Sequence, residues 1–571
     1  METRALRPGW RDLAVACALA LLLSIAWCAR DWHQLSALYL PDTDDGMRLQ
    51  QIRDWLGGQR FFDLTQYRLG PDGVAMHWSR IPDLVPTAII GLLTPLVGAH
   101  GAELTAVILW PAILFAGALL LVGAIARAMG VQPAVAQVIA ALAYPASTLF
   151  LPGRIDHHGL QLVLLLIVAL MLLHPMSWRG AAAAGMATAL SLAIGMETAP
   201  LLAVAAAILV LQWIVDAPGS QLRLGAWSVT LTLTLAAEAA LLRTNGWNIA
   251  ACDGFTATLW QAAQGAAIAP LVLVLAGFVI RDRRVRTGMA LLAGLAVLAL
   301  VVLIAPQCLS PYAGLDATLS SIWLANVAEA QPLFSADPAI AIGYAGLMTV
   351  GIAASAWCAR ADTRWLPLLA LQLASFAVAS LQLRGAYPGA ILAAPSLAAL
   401  VASARARGTV QLFPAWIAAA GIAYPAMATA LMPGGEPRPA REASGGCPAD
   451  IAIAQLAGLP PGRVLAPVDL SAVALPATGH RFLTGPYHRN QDGNLALYRI
   501  LLATPDRARA DIAALDIDYF IYCPGSFGEA EARAGSDSLL TALRNGAPPR
   551  WLHRISAPDA PLIILTPKGA I

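Results

Sequence analysis

The chain is partitioned by long apolar runs, and these decide what it can fold into. Fourteen of them begin near residues 12, 84, 104, 132, 159, 180, 199, 224, 264, 287, 339, 364, 387 and 411. A helix crossing the hydrocarbon of a bilayer needs roughly 20 mostly apolar residues. Across the 571 residues 58% are hydrophobic and 12% charged, with mean hydropathy +0.66, whereas soluble domains carry about 25% charged residues. So little charge does not coat a series of soluble domains. It also excludes a disordered chain, a collagen and a nucleic-acid binder. The expected fold class is a polytopic α-helical membrane protein with a polar extension.

The arginines choose the number of spans. Taken as fourteen, the spans strand Arg127 outside and put Arg281-Asp282-Arg283-Arg284-Val285-Arg286 on the wrong side. The run from Asp83 to Gly98 contains Pro86 and Pro95 and follows a long polar stretch. Read instead as an interfacial helix within the first external loop, it leaves thirteen spans. The N-terminus, Arg127, Arg179, Arg223, Arg281 to Arg286, Arg360 to Arg364 and Arg405 to Arg407 then share one side, as the positive-inside rule requires. No leader with a cleavage site is evident, so the first run is expected to be an uncleaved span.

On this reading residues 1–432 form the membrane domain, with a long first external loop (31–103) and a fifth external loop (307–338). Residues 433–440, rich in Pro and Gly, form a linker, and 441–571 an external α/β domain. In that domain Val464 to Ala466 and Tyr519 to Tyr522 are expected strands, and Asn494 to Ala503 and Ala508 to Leu515 expected helices. No internal repeat is visible. Cys252 and Cys308 fall in external loops, and Cys447 and Cys523 in the external domain. Two disulfides in an oxidising compartment, or four free thiols, both fit. No cysteine pair has metal-finger spacing.

With the inside fixed by arginine, the acids of interest lie outside. The first loop reads Pro41-Asp42-Thr43-Asp44-Asp45-Gly46-Met47-Arg48, three carboxylates in four positions. They repel one another unless solvated or bound to a cation; a solvated loop face is the plain alternative. The loop continues to His77-Trp78-Ser79-Arg80, whose Trp78 and Arg80 suit a groove for sugar and phosphate. Gly153-Arg154-Ile155-Asp156-His157-His158-Gly159 stands at the outer mouth of a span. Ionisable groups there are costly without partners. Asp156 and His158 can offer O and N ligands to Mg²⁺ or Mn²⁺, and Arg154 can meet a phosphate; the alternative is a polar helix cap. Glu329 lies in a sparsely charged loop. Arg384 stands alone at an outer helix end, as a snorkelling side chain also would.

These four features, in this order and on one face, resemble the catalytic-subunit family of oligosaccharyltransferases, within the GT-C glycosyltransferases. The resemblance covers roughly residues 12 to 405. It implies thirteen spans, a catalytic Asp in the first external loop, an Asp-x-(Asp/Glu/His) motif in the second, a Glu in a mobile fifth loop and an external C-terminal domain. Asp45, followed by Gly46, is similar to the first-loop Asp, with Asp44 and Asp42 competing. Asp156 and His158 are similar to the second motif, with His replacing the second carboxylate. Val327-Ala328-Glu329-Ala330-Gln331-Pro332 is similar to the fifth-loop sequence, and Arg384 is a looser match to an Arg near the acceptor site. One departure matters. The family's Trp-Trp-Asp-Tyr-Gly motif, which binds the sequon Ser/Thr, does not occur, and the chain has no Trp-Trp pair. The segment Gly485-Pro486-Tyr487-His488-Arg489-Asn490-Gln491-Asp492-Gly493 offers Tyr487, His488 and Arg489 to a glycan or acceptor, or is a surface turn.

The resemblance implies a membrane glycosyltransferase at the outer face of a bacterial inner membrane, with the C-terminal domain periplasmic. Its donor would be a sugar or oligosaccharide on a polyprenyl (pyro)phosphate. The ion would be Mg²⁺ or Mn²⁺, on Asp45, Asp156 and His158, neutralising the leaving phosphate. Asp45 or Asp44 would deprotonate or place the acceptor, with inversion at the anomeric carbon. Glu329 would complete the site on loop closure. The acceptor is a glycan, a lipid or a protein, and nucleic acid is not an expected partner. Transfer to protein Asn is one alternative, put in doubt by the missing motif. A lipid-linked sugar flippase is another. Transporters usually keep ionisable groups at mid-membrane, where Glu238 alone is a candidate.

Overall fold

The structure is a computed structural model and describes residues 9–173, 177–249, 251–309, 314–327, 330–432, 447 and 449–567. Glu329 and the expected linker lie outside the described residues. Contacts divide the chain into two units: residues 1–32, 78–313 and 328–436, and residues 33–77, 314–327 and 437–571. This division runs through the first and fifth expected loops.

The first unit is helical throughout. Each run expected to span is a helix or a bent helix pair, starting with Trp10–Ser36 and ending with Thr409–Ala419 and Ala423–Leu431. Seven described helices are long and apolar enough to cross a membrane, or up to nine when each bent pair is one span. His157–Leu173 and Ala199–Ile214 are apolar but shorter. Among the described residues fewer than thirteen helices reach full span length, because several runs are shortened or broken. The run near 132 yields only Pro133–Ala141, and the last pair bends by 85°. Gly98 breaks the Leu84–Ala128 helix, with φ of 75°, a backbone conformation that L side chains avoid. The break at Gly98 sets the stretch from Leu84 to Val97 off from the rest of the helix.

Helix starts follow from local chemistry. Ser177 accepts from the Gly180 N–H at 3.1 Å, Asp282 from Arg284 and Val285, and Asp337 from Ala339 ahead of Pro338. Such side chains satisfy amides that have no partner within the helix. Packing between helices uses small residues, as expected where lipid supplies no hydrophobic drive. A methyl at Gly185 would lie 2.2 Å from Thr230 Oγ1, so the Trp178–Ile194 and Ser220–Leu241 helices meet backbone to side chain there. The arginines tie helix ends together. Arg127 pairs with Asp12, Arg223 donates to the Met171 carbonyl at 2.8 Å, and buried Arg286 holds Asp216 at 2.9 Å. Cys252 and Cys308 form a disulfide with Cα atoms 5.3 Å apart.

The second unit is built on a five-stranded sheet. Its spatial order is Arg481–Phe482, Arg463–Leu465, Tyr519–Tyr522, Ile563–Thr566 and His553–Arg554. The first three strands are parallel and the last two antiparallel. The expected strands are present, and the expected helices span Gln491–Leu502 and Pro505–Ala514. The core joins Leu465, Phe520, Leu497, Leu501 and Ile512 with Leu319 and Ile322. Residues 33–77 belong to the same unit. Leu69 bridges Phe482 in parallel, and Arg68 donates to the carbonyls of Leu475 and Thr478 at 2.9 and 2.7 Å. Cys447 and Cys523 form the second disulfide.

Two predictions follow from this unit. The Cys447–Cys523 bond closes a sequence separation of 76 residues, so Cys447→Ser with Cys523→Ser should cost about 2–4 kcal/mol by restoring unfolded-state entropy. Thermal unfolding of the second unit under oxidising conditions reads this. Asp469 is half-buried, and burial, then Glu529 and Asp42, push its carboxyl up to about 7. An unfolded Asp titrates near 3.9, so the folded state increasingly suffers from the charged form as pH rises from about 4 to about 7. The Tm of Asp469→Asn should therefore move in the variant's favour, relative to the natural chain, across that window. A difference that does not change with pH overturns the assignment.

Candidate functional site

The sequence from Leu151 to His158 is a turn that delivers one acid to the head of a helix. Gly153, at φ of 94°, turns the chain, and its N–H donates to the Val107 carbonyl at 2.8 Å. The helix His157–Leu173 begins immediately after Asp156, whose Oδ1 accepts from the His157 N–H at 2.5 Å. A carboxylate at a helix N-terminus is favoured by the orphan amides and the helix dipole.

Asp156 is the hub of the cluster and is buried. Its Oδ1 also pairs with the His157 ring through Nδ1. Its Oδ2 faces His158 Nε2 at 3.4 Å and Arg154 Nη2 at 4.0 Å. The other ring nitrogen of His157 lies 3.4 Å from Glu197 Oε1. Asp156, His157 and His158 offer ligand atoms that all lie within 4.8 Å of one another. The donor set of one carboxylate and two imidazoles suits Mn²⁺ or Zn²⁺, and Mg²⁺ less well.

Glu197 stands in the loop between the Trp178–Ile194 and Ala199–Ile214 helices. Its Oε2 accepts from Gln161 Nε2 at 3.2 Å, and Gln161 also donates to the Gly195 carbonyl at 3.0 Å. A methyl on Gly195 would lie 2.3 Å from Glu197 Oε2, so the carboxylate rests where only glycine leaves room. Burial pushes the Glu197 carboxyl up. The hydrogen bond and charge of His157, with His158 and Arg384, outweigh it and hold the carboxyl well below the usual carboxylate range. The sequence places Glu197 in an external loop but does not single it out. Its signal was present: an acid in a short loop between two apolar helices, two residues after a glycine.

His158, Gln161, Glu197 and Arg384 line one cleft, with Leu149, Leu162, Leu201, Val378, Tyr387 and Pro388 as apolar wall. Apolar walls with a few convergent polar groups are the usual make-up of a small-molecule site. Arg384 reaches it from the short turn Leu383–Gly385.

The structure thus brings Arg154, Asp156, His158 and Arg384 together within the first unit. Also in that unit, Trp78 is buried, and Arg80 is buried with Asp83 at 3.5 Å. In the second unit Asp44 and Asp45 occupy the first turn of the Thr43–Leu56 helix, capped by Asp42, and Asp45 is fully buried. Tyr487 is buried, and its hydroxyl donates to the Thr43 carbonyl at 3.3 Å. His488 packs on His77 with ring centroids 4.8 Å apart, and Arg489 donates to the Ala75 carbonyl at 3.3 Å. These three side chains bind residues 33–77 to the C-terminal residues.

The chain shares its fold, a polytopic helical membrane region with a small α/β unit, with solved oligosaccharyltransferase structures. The Archaeoglobus fulgidus oligosaccharyltransferase in its apo form is similar at 17% identity and TM-score 0.63, over 93% of this chain and 71% of that chain. The same enzyme in complex with an inhibitory peptide and a dolichol-phosphate gives 14% identity and TM-score 0.62, over 97% and 74%. Its complex with Zn and sulfate gives 16% and 0.61, over 93% and 70%. No protein-family model matches the chain, and no curated protein matches it. At these identities the likeness is one of fold.

Proposed function

We propose that the protein is a membrane glycosyltransferase. It moves a sugar or oligosaccharide from a polyprenyl-(pyro)phosphate donor to an acceptor at the outer, periplasmic face of a bacterial inner membrane. The observation that carries this reading is the Arg154–Asp156–His158 cluster at the head of an apolar helix, with His158 lining one cleft beside Glu197 and Arg384. A transporter needs charges along a path through the bilayer, whereas this cluster gathers at one helix end. The fold's solved relatives include a complex with dolichol-phosphate, a lipid of the proposed donor class.

In this reading Asp156 and His158 would hold a divalent ion, Mn²⁺ in preference to Mg²⁺, which when bound would supply Lewis-acid neutralisation of the phosphate. Arg384 and Arg154 take phosphate oxygens through charge-assisted hydrogen bonds. The acceptor oxygen or nitrogen attacks the anomeric carbon from the face opposite the phosphate. The C–O bond to phosphate breaks, the phosphate keeps the electron pair, and the configuration inverts. The acceptor's proton passes to a carboxylate, for which Asp45 is the choice and Asp44 the alternative. Glu329 is assigned from the sequence as the loop acid that completes the site. The absent Trp-Trp-Asp-Tyr-Gly motif favours a lipid or polysaccharide acceptor over a protein Asn. The Zn and sulfate complex of the archaeal enzyme is consistent with an ion and an anion in such a site.

Asp156→Ala should lower transfer from a radiolabelled polyprenyl-linked donor in membranes by at least about 100-fold, a loss typical of removing a key electrostatic group, with expression intact. Arg384→Ala should act mainly by raising the donor KM. Asp45→Ala should abolish transfer while leaving donor binding unchanged. Wild-type transfer by Asp156→Ala, or transfer indifferent to EDTA, overturns the site as drawn. The class of molecule that carries the label, glycopeptide or lipid, separates the two acceptor readings.

A further inference from the structure

Among the described residues of the first unit, Glu197 is the one acid of the cleft to which the proposed chemistry gives no role, yet its carboxylate is held from several sides. One oxygen faces His157 and the other accepts from Gln161. Gly195 leaves the space the carboxylate fills. His157 is in turn engaged at both ring nitrogens: Nδ1 pairs with Asp156 Oδ1 and Nε2 faces Glu197 Oε1 at 3.4 Å. With one nitrogen in contact with Asp156 and the other facing Glu197, the His157 imidazole bridges two acids through both of its nitrogens. The pair that remains is Asp156 Oδ2 and His158 Nε2, 3.4 Å apart. Two ligand atoms each about 2.1 Å from one ion, at tetrahedral to octahedral angles, stand about 3.0–3.4 Å apart.

We propose that Glu197 is a positioning residue: it fixes the His157 imidazole, His157 occupies Asp156 Oδ1, and Asp156 is thereby held with Oδ2 beside His158 Nε2 as a two-point site for a divalent ion. His157 is then a link between two carboxylates and not a ligand, although it belongs to the compact group of three. The inference rests on the metal-binding part of the proposed function. The logic is that of a carboxylate–imidazole pair orienting a metal ligand, where loss of the outer partner typically costs about 10–100-fold in metal affinity.

The test uses the full-length protein in lipid nanodiscs, with Mn²⁺ alone as probe and free Mn²⁺ read by electron paramagnetic resonance. Asp156→Ala should lose the site. Glu197→Ala should weaken Mn²⁺ binding about 10–100-fold. Glu197→Gln, whose amide oxygen still accepts from the His157 Nε2–H, should lose less. Gly195→Ala keeps every charge but pushes the end of the Glu197 side chain aside, and it should weaken binding in the same direction. Unfolding temperatures in EDTA should stay at the natural value for Glu197→Gln and Gly195→Ala, which separates positioning from folding. Natural Mn²⁺ affinity in both Glu197→Ala and Gly195→Ala overturns the positioning role alone. Loss by Glu197→Ala as complete as by Asp156→Ala overturns it too, because Glu197 is then itself a ligand. Unchanged Mn²⁺ binding in Asp156→Ala overturns the metal site and this inference with it.

Discussion

An ionised carboxylate at the head of an apolar helix is tolerated only when opposite charge and hydrogen-bond donors surround it, because desolvation of a lone charge costs several kcal/mol. Asp156 meets that condition with the His157 amide and ring on one oxygen and with His158 and Arg154 on the other. Much else in the first unit serves this arrangement. Gly153 turns the chain into it, Gln161 continues the polar face one turn down the helix, and Glu197 balances the positive charge of the two histidines and Arg384. Two carboxylates are thus met by two arginines and two imidazoles, an excess of positive partners that stabilises the acids and favours a further anion.

Much of this was legible because a bilayer imposes a coarse grammar. Apolar runs followed from transfer energies alone, and each run expected to span is a helix or a bent pair of helices. The second motif was legible for a related reason. Asp156, His157 and His158 sit next to one another in sequence, so their proximity in space needed no fold. Glu197 is far from them in sequence and reaches them only because two membrane helices pack side by side. No local pattern announces such a meeting. The broken helices were also out of reach, since the 85° bend between Ala419 and Ala423 depends on tertiary contacts.

The second unit shows the same contrast. Its short apolar strands Val464–Leu465 and Tyr519–Tyr522 are readable, but residues 33–77 read as an external loop because they lie between apolar runs. They fold with the C-terminal residues through backbone pairing to Phe482 and through Arg68 and Arg53 reaching the carbonyls of residues 475–478. The loop's buried apolar side chains, among them Met47, Leu49, Ile52 and Leu69, are interspersed with charged ones, so hydropathy does not name its partner.

That assignment changes what the aromatic and basic residues near position 488 mean. Tyr487 and Arg489 were attractive as glycan or acceptor contacts because they cluster with His488 in a polar turn. In the structure the hydroxyl of Tyr487 and the guanidinium of Arg489 each meet a backbone carbonyl of the 33–77 segment. The carbonyl that Tyr487 meets belongs to Thr43, next to Asp44 and Asp45. A group that braces the helix carrying the proposed acceptor-side acids influences transfer by holding that helix in place. Substitutions at position 487 would then shift the acid's position without touching the donor. This separates two routes to the same loss of activity: through the ion cluster at Asp156, or through the first-loop acids and the turn that supports them.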